Sequence, residues 1–420
     1  MQMKTKRFFG ILVSFALVLG LMSAFALATE AATAVPYIER RWDGSKVKEE
    51  TKYCTNYTVI NKNTKLLNGY LNSWYVVAGH VSINDSKSRM IVLGTVNLIL
   101  GDGAKLYNED GICVPQGSTL NIYSQKNGTG VLYCDADDND NAAIGANNEA
   151  GDCGNINIHG GIVVADTAKM GTDAAGIGGG DEGNGGNVTI YGGSVLAKGG
   201  KYGAGIGGGD NDKGRGGNGG VTTIYGGQVR AYGGRHAAGI GGGEGEDLDA
   251  SGDTIISGGT TRIYGGEVWA YGGTDGAGIG GGKYGSPTLV QIYGGKVVAV
   301  GCDCGAGIGG GTCGGAGYVE IKGGNVYAQG DPTGGAGIET GLGKVIKGGK
   351  VYILGGTVTA IGYEGIGAYH MNDLDKLILG RGIILYGGKS TTSKMQVICG
   401  GPRHVQKRER RPCMVTKPRN

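Results

Sequence analysis

A short glycine-rich phrase of the type AGIGGG recurs along most of this chain and constrains its fold more than any other feature. Each unit also contains phrases of the types VTIYGG and VLAKGG, in which apolar residues alternate with others as they do in half-buried strands. One such unit cannot bury its apolar face alone, whereas stacked units can, so the repeat predicts a stack of similar coils. The central isoleucines of the phrase, or of its degraded forms, lie 28 to 39 residues apart, at Ile144, Ile177, Ile206, Ile240, Ile279, Ile308, Ile338 and Ile366.

The three phrases of a unit predict three short strands joined by glycine corners. Coils of roughly 30 residues built in this way form an all-β, right-handed parallel β-helix, or β-solenoid. In one coil we expect Val188 and Ile190 to point inward from one strand, and Val195 and Ala197 from the next. The 93 glycines suit this fold because they alternate with short Val, Ile and Tyr runs, whereas collagen needs glycine at every third position.

Differences in length between units are confined to one segment of each coil. The Tyr of the YGG phrase precedes the next central Ile by 15 residues in four units, whereas the segment from Ile to Tyr spans 14 to 24. Loops that vary at one corner of a solenoid often form its binding edge. Clustered carboxylates on these loops make calcium a candidate ligand, because calcium takes about six to eight hard oxygen ligands. A solvated acidic edge without a metal is the alternative, and no other cofactor is expected. The candidate calcium ligands are Asp181, Glu182, Asp210 and Asp212.

Composition divides the chain into five segments. Residues 1–34 combine a basic start, an apolar run and Ala-x-Ala sites, which are typical of a cleaved secretory signal peptide. An uncleaved membrane anchor is the alternative, and no other membrane contact is expected. Residues 35–73 form a polar lead-in, residues 74–140 form divergent coils, and residues 141–398 form the glycine-rich coils. Residues 399–420 form a basic tail that we expect to be disordered.

Residues 74 to 398 resemble the glycine-rich repeat region of secreted proteins from gut Firmicutes. The resemblance is carried by the phrases WYVVAGHVSI, VNLILGDGAKL and GICVPQGSTLNIYSQ and by the repeated AGIGGG and IYGG. These proteins are described as carbohydrate-binding domain-containing or adhesin-like surface proteins. The resemblance implies an extracellular or cell-surface location, with a polysaccharide or a host or cell-surface glycan as the partner.

Outward-facing aromatic residues recur at matching positions of successive coils and form candidate ligand-binding columns. Flat rings at a regular exposed spacing could stack on the apolar C–H faces of sugars, and exposed apolar patches often bind ligands. The alternative is that the stacked rings only stabilise adjacent strands, by about 0.2–1 kcal/mol per pair. The candidates are Tyr191, Tyr225, Tyr264 and Tyr293 in one column, and Tyr232, Trp269, Tyr271 and Tyr327 on the following strand.

The resulting prediction is a monomeric, secreted or cell-surface protein that binds carbohydrate without catalysis. A structural spacer or adhesin is one alternative, and a β-helix polysaccharide lyase or hydrolase is another. Catalysis is disfavoured because the clustered acids lie on glycine loops and the five histidines share no register, whereas such enzymes need carboxylates at a defined separation. A nucleic-acid partner is not expected, although the net charge is +3, because the excess of positive charge lies at the two ends and the tail lacks interleaved aromatic residues.

Overall fold

The computed structural model describes only part of the chain, and its strands are numbered β1 to β38 in chain order. Almost all of the signal peptide predicted for residues 1–34 and of the basic tail at 399–420 lies outside the described residues. The described part contains no helix that is long and apolar enough to cross a membrane. The described residues are 33–84, 89–136, 140–148, 151–168, 172–210, 217–245, 256–315, 317–332, 334–339, 349–363 and 365–367, and the strand segments 374–379, 385–386, 398–399 and 405–406.

Each complete coil contributes one strand to each of three parallel ladders, which confirms the prediction of a right-handed parallel β-helix with three short strands per coil. The first ladder contains the two-residue strands β8 (Ile112–Cys113), β11 (Ile144–Gly145), β14 (Ile177–Gly178), β17 (Ile206–Gly207), β20 (Ile240–Gly241), β24 (Ile279–Gly280), β28 (Ile308–Gly309), β31 (Ile338–Glu339) and β34 (Ile366–Gly367). The second ladder contains β9 (Thr119–Ser124), β12 (Asn155–Ile158), β15 (Asn187–Ile190), β18 (Val221–Ile224), β22 (Thr260–Ile263), β26 (Leu289–Ile292), β29 (Tyr318–Ile321), β32 (Gly349–Ile353), β35 (Leu374–Leu379) and β37 (Ile398–Cys399). The third ladder contains β5 (His80–Ile83), β7 (Lys105–Asn108), β10 (Val131–Asp135), β13 (Ile162–Asp166), β16 (Ser194–Lys198), β19 (Gln228–Tyr232), β23 (Glu267–Tyr271), β27 (Lys296–Val300), β30 (Asn325–Gln329), β33 (Thr357–Ile361), β36 (Leu385–Tyr386) and β38 (Val405–Gln406).

The strands near the N-terminus extend the same stack. Two long strands, β4 (Leu66–Val77) and β6 (Met90–Leu100), pair in parallel with each other, and β6 continues into both the first and the second ladder. The short strand β3 (Thr58–Val59) pairs with the end of β4. Outside the three ladders, β21 (Ile256–Ser257) pairs with β25 (Gly285–Ser286) in neighbouring loops.

The core is a set of apolar stacks inside the coils. Val188, Ile190, Val195 and Ala197 are each at most 1% exposed, so the predicted inward positions are confirmed. Parallel pairing keeps these residues in register, since Ile190 pairs with the isoleucines that end the strands of the preceding and following coils. Burial of each apolar stack stabilises the solenoid by roughly 25 cal/mol for each Å² of apolar surface removed from water.

The glycine that ends most first-ladder strands is required by geometry. In one coil Gly207 has a φ of 142°, and a side chain there would collide with the carbonyl oxygen of Gly241 in the next coil. Only glycine adopts this backbone region at low cost. Two coils depart from the rule. Glu339 occupies the equivalent position in β31 with a φ of 132°, and Cys113, which pairs with Gly145, occupies it in β8.

An antiparallel hairpin precedes the coils and lies within the segment interpreted above as a polar lead-in. Its strands β1 (Val35–Trp42) and β2 (Val47–Cys54) pair in register along their full lengths. The turn contains Asp43 and Gly44, and Gly44 has a φ of 100°. The Asp43 carboxylate accepts hydrogen bonds of 2.9 Å from the backbone N–H groups of Ser45 and Lys46, which stabilises the turn.

Candidate functional site: a covered aromatic column and an open aromatic face

Six aromatic rings stack in one row near the ends of the second-ladder strands, and we call them the tyrosine column. Neighbouring ring centroids are 4.4 to 5.2 Å apart, with interplanar angles of 2° to 21°. In-register parallel pairing produces this row, because it places equivalent residues of neighbouring coils above one another. His159 takes the tyrosine position of its coil and stacks between two tyrosines. The column consists of Tyr123, His159, Tyr191, Tyr225, Tyr264 and Tyr293.

This stacking changes what the column offers to a ligand. The outward spacing in the sequence predicted accessible ring faces, but each internal ring of the column lies between two neighbouring rings. The Lys322 ammonium nitrogen lies over the last ring, 5.0 Å from the centroid of Tyr293. Burial raises the pKa of the Tyr191 and Tyr225 hydroxyls. The geometry therefore favours a stabilising role for the column, at about 0.2–1 kcal/mol per stacked pair.

Strand β1 covers most of the tyrosine column and runs along the solenoid axis. Tyr37 packs against the first ring with centroids 5.0 Å apart, and Arg40 contacts the second ring. Trp42 packs against the fourth and fifth rings at 5.1 and 5.3 Å. Five steps of an extended strand cover about 17 Å, close to the span of four coil steps of about 4.8 Å each. The hairpin therefore spans the first five of the six rings and covers them from outside.

His159 is a buried titratable group under the hairpin. Its side chain is 7% exposed, and its Nδ1 lies 2.8 Å from the Arg40 carbonyl oxygen. The Arg40 guanidinium donates a hydrogen bond to the His159 carbonyl oxygen and pairs with Glu49, with Nε 2.6 Å from the carboxylate. Burial lowers the pKa of His159 to about 4, against a smaller opposing effect of the backbone hydrogen bond. The imidazole is therefore neutral near pH 7.

The remaining predicted aromatic residues lie on the third ladder, which we call the open aromatic face. The rings of Tyr232 and Tyr271 stack with centroids 5.0 Å apart and planes at 10°. The Arg230 guanidinium lies 4.6 Å and the Lys296 ammonium 5.5 Å from the ring centroid of Trp269. Tyr232 is 37% exposed, and the hairpin contacts described above lie on the tyrosine column instead. The face consists of Arg230, Tyr232, Trp269, Tyr271, Lys296 and Tyr327.

The predicted calcium ligands are only partly described. Asp181 and Glu182 are half-buried, Asp210 is 1% exposed, and Asp212 lies outside the described residues. The Glu182 backbone N–H donates to the Asp210 carbonyl oxygen at 3.1 Å, which brings two of these residues from neighbouring coils together. Within the described ranges, no group of three or more His, Cys, Asp or Glu residues is arranged to hold a metal ion. Calcium binding stays a prediction.

A second buried histidine, His236, lies in a polar cluster that was not predicted from the sequence. His236 is 8% exposed, and its Nδ1 lies 2.8 Å from an Asp275 carboxylate oxygen. Lys283 and Glu244 form an ion pair at 3.1 Å beside it. Burial lowers the pKa of His236, although Glu244 and Asp275 oppose the effect. The cluster joins residues of successive coils, and its burial is typical of a structural polar network.

Sequence reasoning missed the cations around Trp269 and the hairpin that covers the tyrosine column. Arg230 could have been found by aligning the phrases VRAY and VWAY, because it occupies the Trp269 position in the preceding coil. The Asp43-Gly44 pair is a strong hairpin signal and could have revealed the hairpin itself. Its docking site leaves no local pattern in the sequence.

A family model described as a beta helix repeat matches six segments of the glycine-rich coils. This similarity supports a surface or polysaccharide-related protein, and it does not distinguish an enzyme from a binding protein. No curated protein and no solved structure is significantly similar to the chain. The matched segments are residues 156–181, 188–210, 223–244, 262–283, 290–312 and 319–338.

Proposed function

We propose that this protein is an exported surface protein that binds a polysaccharide on its open aromatic face without cleaving it. The observation that carries the proposal is the grouping of Tyr232, Trp269 and Tyr271 on the third ladder, away from the hairpin contacts. Trp269 and Tyr271 lie two residues apart on one strand and therefore on the same side of the sheet. Tyr232 continues this surface into the preceding coil.

The chemistry of the face suits a hydroxyl-rich ligand. Stacked phenol rings present their edges and hydroxyl groups, and the Trp269 indole adds an N–H donor. The Arg230 guanidinium and the Lys296 ammonium add charged donors close to the indole. Successive strands repeat this surface about every 4.8 Å, a step comparable to the length of one sugar unit in an extended glycan. A polysaccharide lying along the solenoid axis would meet aromatic rings in the coils of β19 and β23, valines in the coil of β27 and Tyr327 in the coil of β30.

Export to the cell surface rests on the sequence pattern of residues 1–34 and on the resemblance to secreted gut proteins. The β-helix repeat supports the coarser assignment to surface or polysaccharide-related proteins. The glycan itself, whether from the host or from a cell surface, is part of the proposal.

Affinity electrophoresis of the full chain in gels that contain different polysaccharides tests this proposal. At least one polymer should retard the wild-type protein, and Trp269→Ala should abolish that retardation while the far-UV circular dichroism stays unchanged. Tyr318→Ala is the control, because Tyr318 is also a half-buried aromatic residue but lies on the second ladder, where it stacks on Tyr352 with centroids 5.1 Å apart. Unchanged retardation of the Trp269 variant would contradict the proposed site. Release of reducing ends or unsaturated products from any polymer would contradict the non-catalytic part.

A structural spacer or adhesin is the second candidate function, and the tyrosine column favours it. Rings that stack on one another along the axis stabilise the contact between successive coils. The hairpin adds a second layer of packing over these rings. Absence of retardation of the wild-type protein by every polymer would favour this second candidate.

A further inference from the structure

A groove lies at the start of the second-ladder strands, whereas the tyrosine column lies near their ends. The groove carries polar side chains that the proposed function does not use. Its volume is about 360 Å³, within the roughly 300–1,000 Å³ typical of small-ligand sites. The backbones of Gly154, Gly186 and Gly220 line it, and a side chain at Gly220 would collide with the Gly186 carbonyl oxygen. The polar side chains of this amide groove are Gln116, Asp152, Asn155, Asn184 and Asn187.

Two rows of hydrogen bonds hold the amide side chains in place across neighbouring coils. Asn187 Nδ2 donates to Asn155 Oδ1 at 2.9 Å, and Asn155 Nδ2 donates to Thr119 Oγ1 at 3.2 Å. In the second row, Asn184 Nδ2 donates to Asp152 Oδ1 at 2.6 Å. Side chains fixed in this way lose little further conformational entropy when a ligand binds.

These bonds use only part of the hydrogen-bonding capacity of the groove. An asparagine or glutamine side chain has two N–H donors and an oxygen with two lone pairs, and a carboxylate accepts at two oxygens. Asn187 is exposed and donates one bond to its neighbour, while Asp152 Oδ2 has one long contact of 3.4 Å from Gln116 Nε2. Donors and acceptors on Asn187, Asp152 and Gln116 are therefore available to a ligand.

The lining also indicates which class of ligand suits the groove. It contains one carboxylate and no Lys, Arg or aromatic side chain. An anion would find no cation there, and calcium would find few of the about six to eight hard oxygen ligands it requires. Alternating amide donors and acceptors instead match the hydroxyl groups of a neutral sugar.

We infer that the amide groove is a second binding site, for a neutral oligosaccharide of two or three sugar units. The groove extends over the coils of Gln116, Asp152, Asn184 and Gly220, which corresponds to roughly 14 Å at three steps of about 4.8 Å. The inference shares the ligand class of the proposed function but rests on different residues on a different ladder, so that either can fail alone.

Calorimetric titration of the full chain tests this inference with four probes: cellotetraose, xylotetraose, mannotetraose and the acidic tetragalacturonate. At least one neutral tetrasaccharide should bind, and tetragalacturonate should bind more weakly because Asp152 is the only charged side chain of the lining. Asn187→Leu and Gln116→Ala should each weaken this binding about tenfold, as expected when a ligand loses one or two hydrogen bonds. Asn325→Leu is the matched control, because Asn325 is also exposed and begins a strand, but on the third ladder.

Three outcomes would overturn the inference: no neutral probe binds, tetragalacturonate binds most tightly, or Asn187→Leu and Gln116→Ala leave the affinity unchanged. Trp269→Ala separates the two sites, because it should impair polymer binding on the open aromatic face and leave tetrasaccharide binding intact. Loss of tetrasaccharide binding in Trp269→Ala alone would assign the sugar to that face and reject the groove. Should Asn187→Leu disturb the circular dichroism, Gln116→Ala decides the question, since Gln116 lies on an exposed turn.

Discussion

Acid is expected to loosen the hairpin from the tyrosine column through His159. The imidazole is 7% exposed, and burial lowers its pKa from 6.5 to about 4. The folded-state pKa lies below the unfolded value, so the folded state favours the neutral imidazole. The contribution of this neutral form to folding stability is complete above pH 6.5 and is lost as the pH falls toward 4. Each unit of pKa difference corresponds to about 1.4 kcal/mol, so the free energy of unfolding should decrease by about 3 kcal/mol over this range.

His159→Phe is the informative substitution, because it retains an aromatic ring in the column and cannot be protonated. It removes the contact between Nδ1 and the Arg40 carbonyl oxygen, which should cost about 1 kcal/mol at every pH. His80→Phe is the matched control, since His80 is exposed and lies outside the column. Comparison of the three proteins separates the titration of His159 from the acid sensitivity that they share.

Urea denaturation followed by circular dichroism, at about pH 7 and about pH 4, provides the measurement. Wild type and His80→Phe should each lose about 3 kcal/mol more than His159→Phe between these values. The protection factors of the backbone amides in residues 35–54, which are corrected for the intrinsic pH dependence of exchange, should decrease at the lower pH in wild type, and much less in His159→Phe. Equal acid losses in wild type and His159→Phe would refute the reasoning, because His159 would then not be the group whose burial opposes protonation.

Three further substitutions probe the coil geometry and the hairpin. Trp42→Ala should speed amide exchange across β1 and β2 and destabilise hairpin docking by about 1–3 kcal/mol, because it removes the ring that packs against two tyrosines. An unchanged exchange pattern would contradict the docking. Gly207→Ala should lower the free energy of unfolding by about 3 kcal/mol or more in urea titrations. Gly103→Ala is the control, because Gly103 also has a positive φ but has open space around it, and it should cost only about 1–2 kcal/mol. Equal costs would show that the collision between coils is relieved. Glu339→Gly should raise the melting temperature by relieving about 1–3 kcal/mol of backbone strain, and a lower melting temperature would mean that the contacts of the Glu339 side chain outweigh the strain.

Much of the architecture could be predicted from local sequence patterns. Alternation within VTIYGG and VLAKGG identified the inward residues Val188 and Ile190, because strand geometry sends successive side chains to opposite sides. The repeat spacing identified the coils, and the YGG phrases placed one aromatic residue per coil at the same position. The stacked column, with His159 in a tyrosine position, follows from that spacing together with parallel pairing.

The accessibility of the candidate sites was decided only by tertiary structure. Arg40 and His159 are 119 residues apart in sequence, and no periodic pattern connects the hairpin to the rings that it covers. Ring stacking along the axis directs the tyrosine faces toward one another, and the hairpin then covers much of the column from outside. Likewise, the amides of the groove come from different coils and meet only when those coils stack.

By itself, therefore, the repeat in this sequence determined the solenoid, its inward residues and its glycine corners, because each of these depends on interactions within a coil or between adjacent coils. Which outward side chains remain open to a ligand depended on packing between distant segments, and only the three-dimensional structure decided that. The physical reason is range: strand alternation and backbone φ are local properties of the chain, whereas burial of an outward residue depends on what else docks against it.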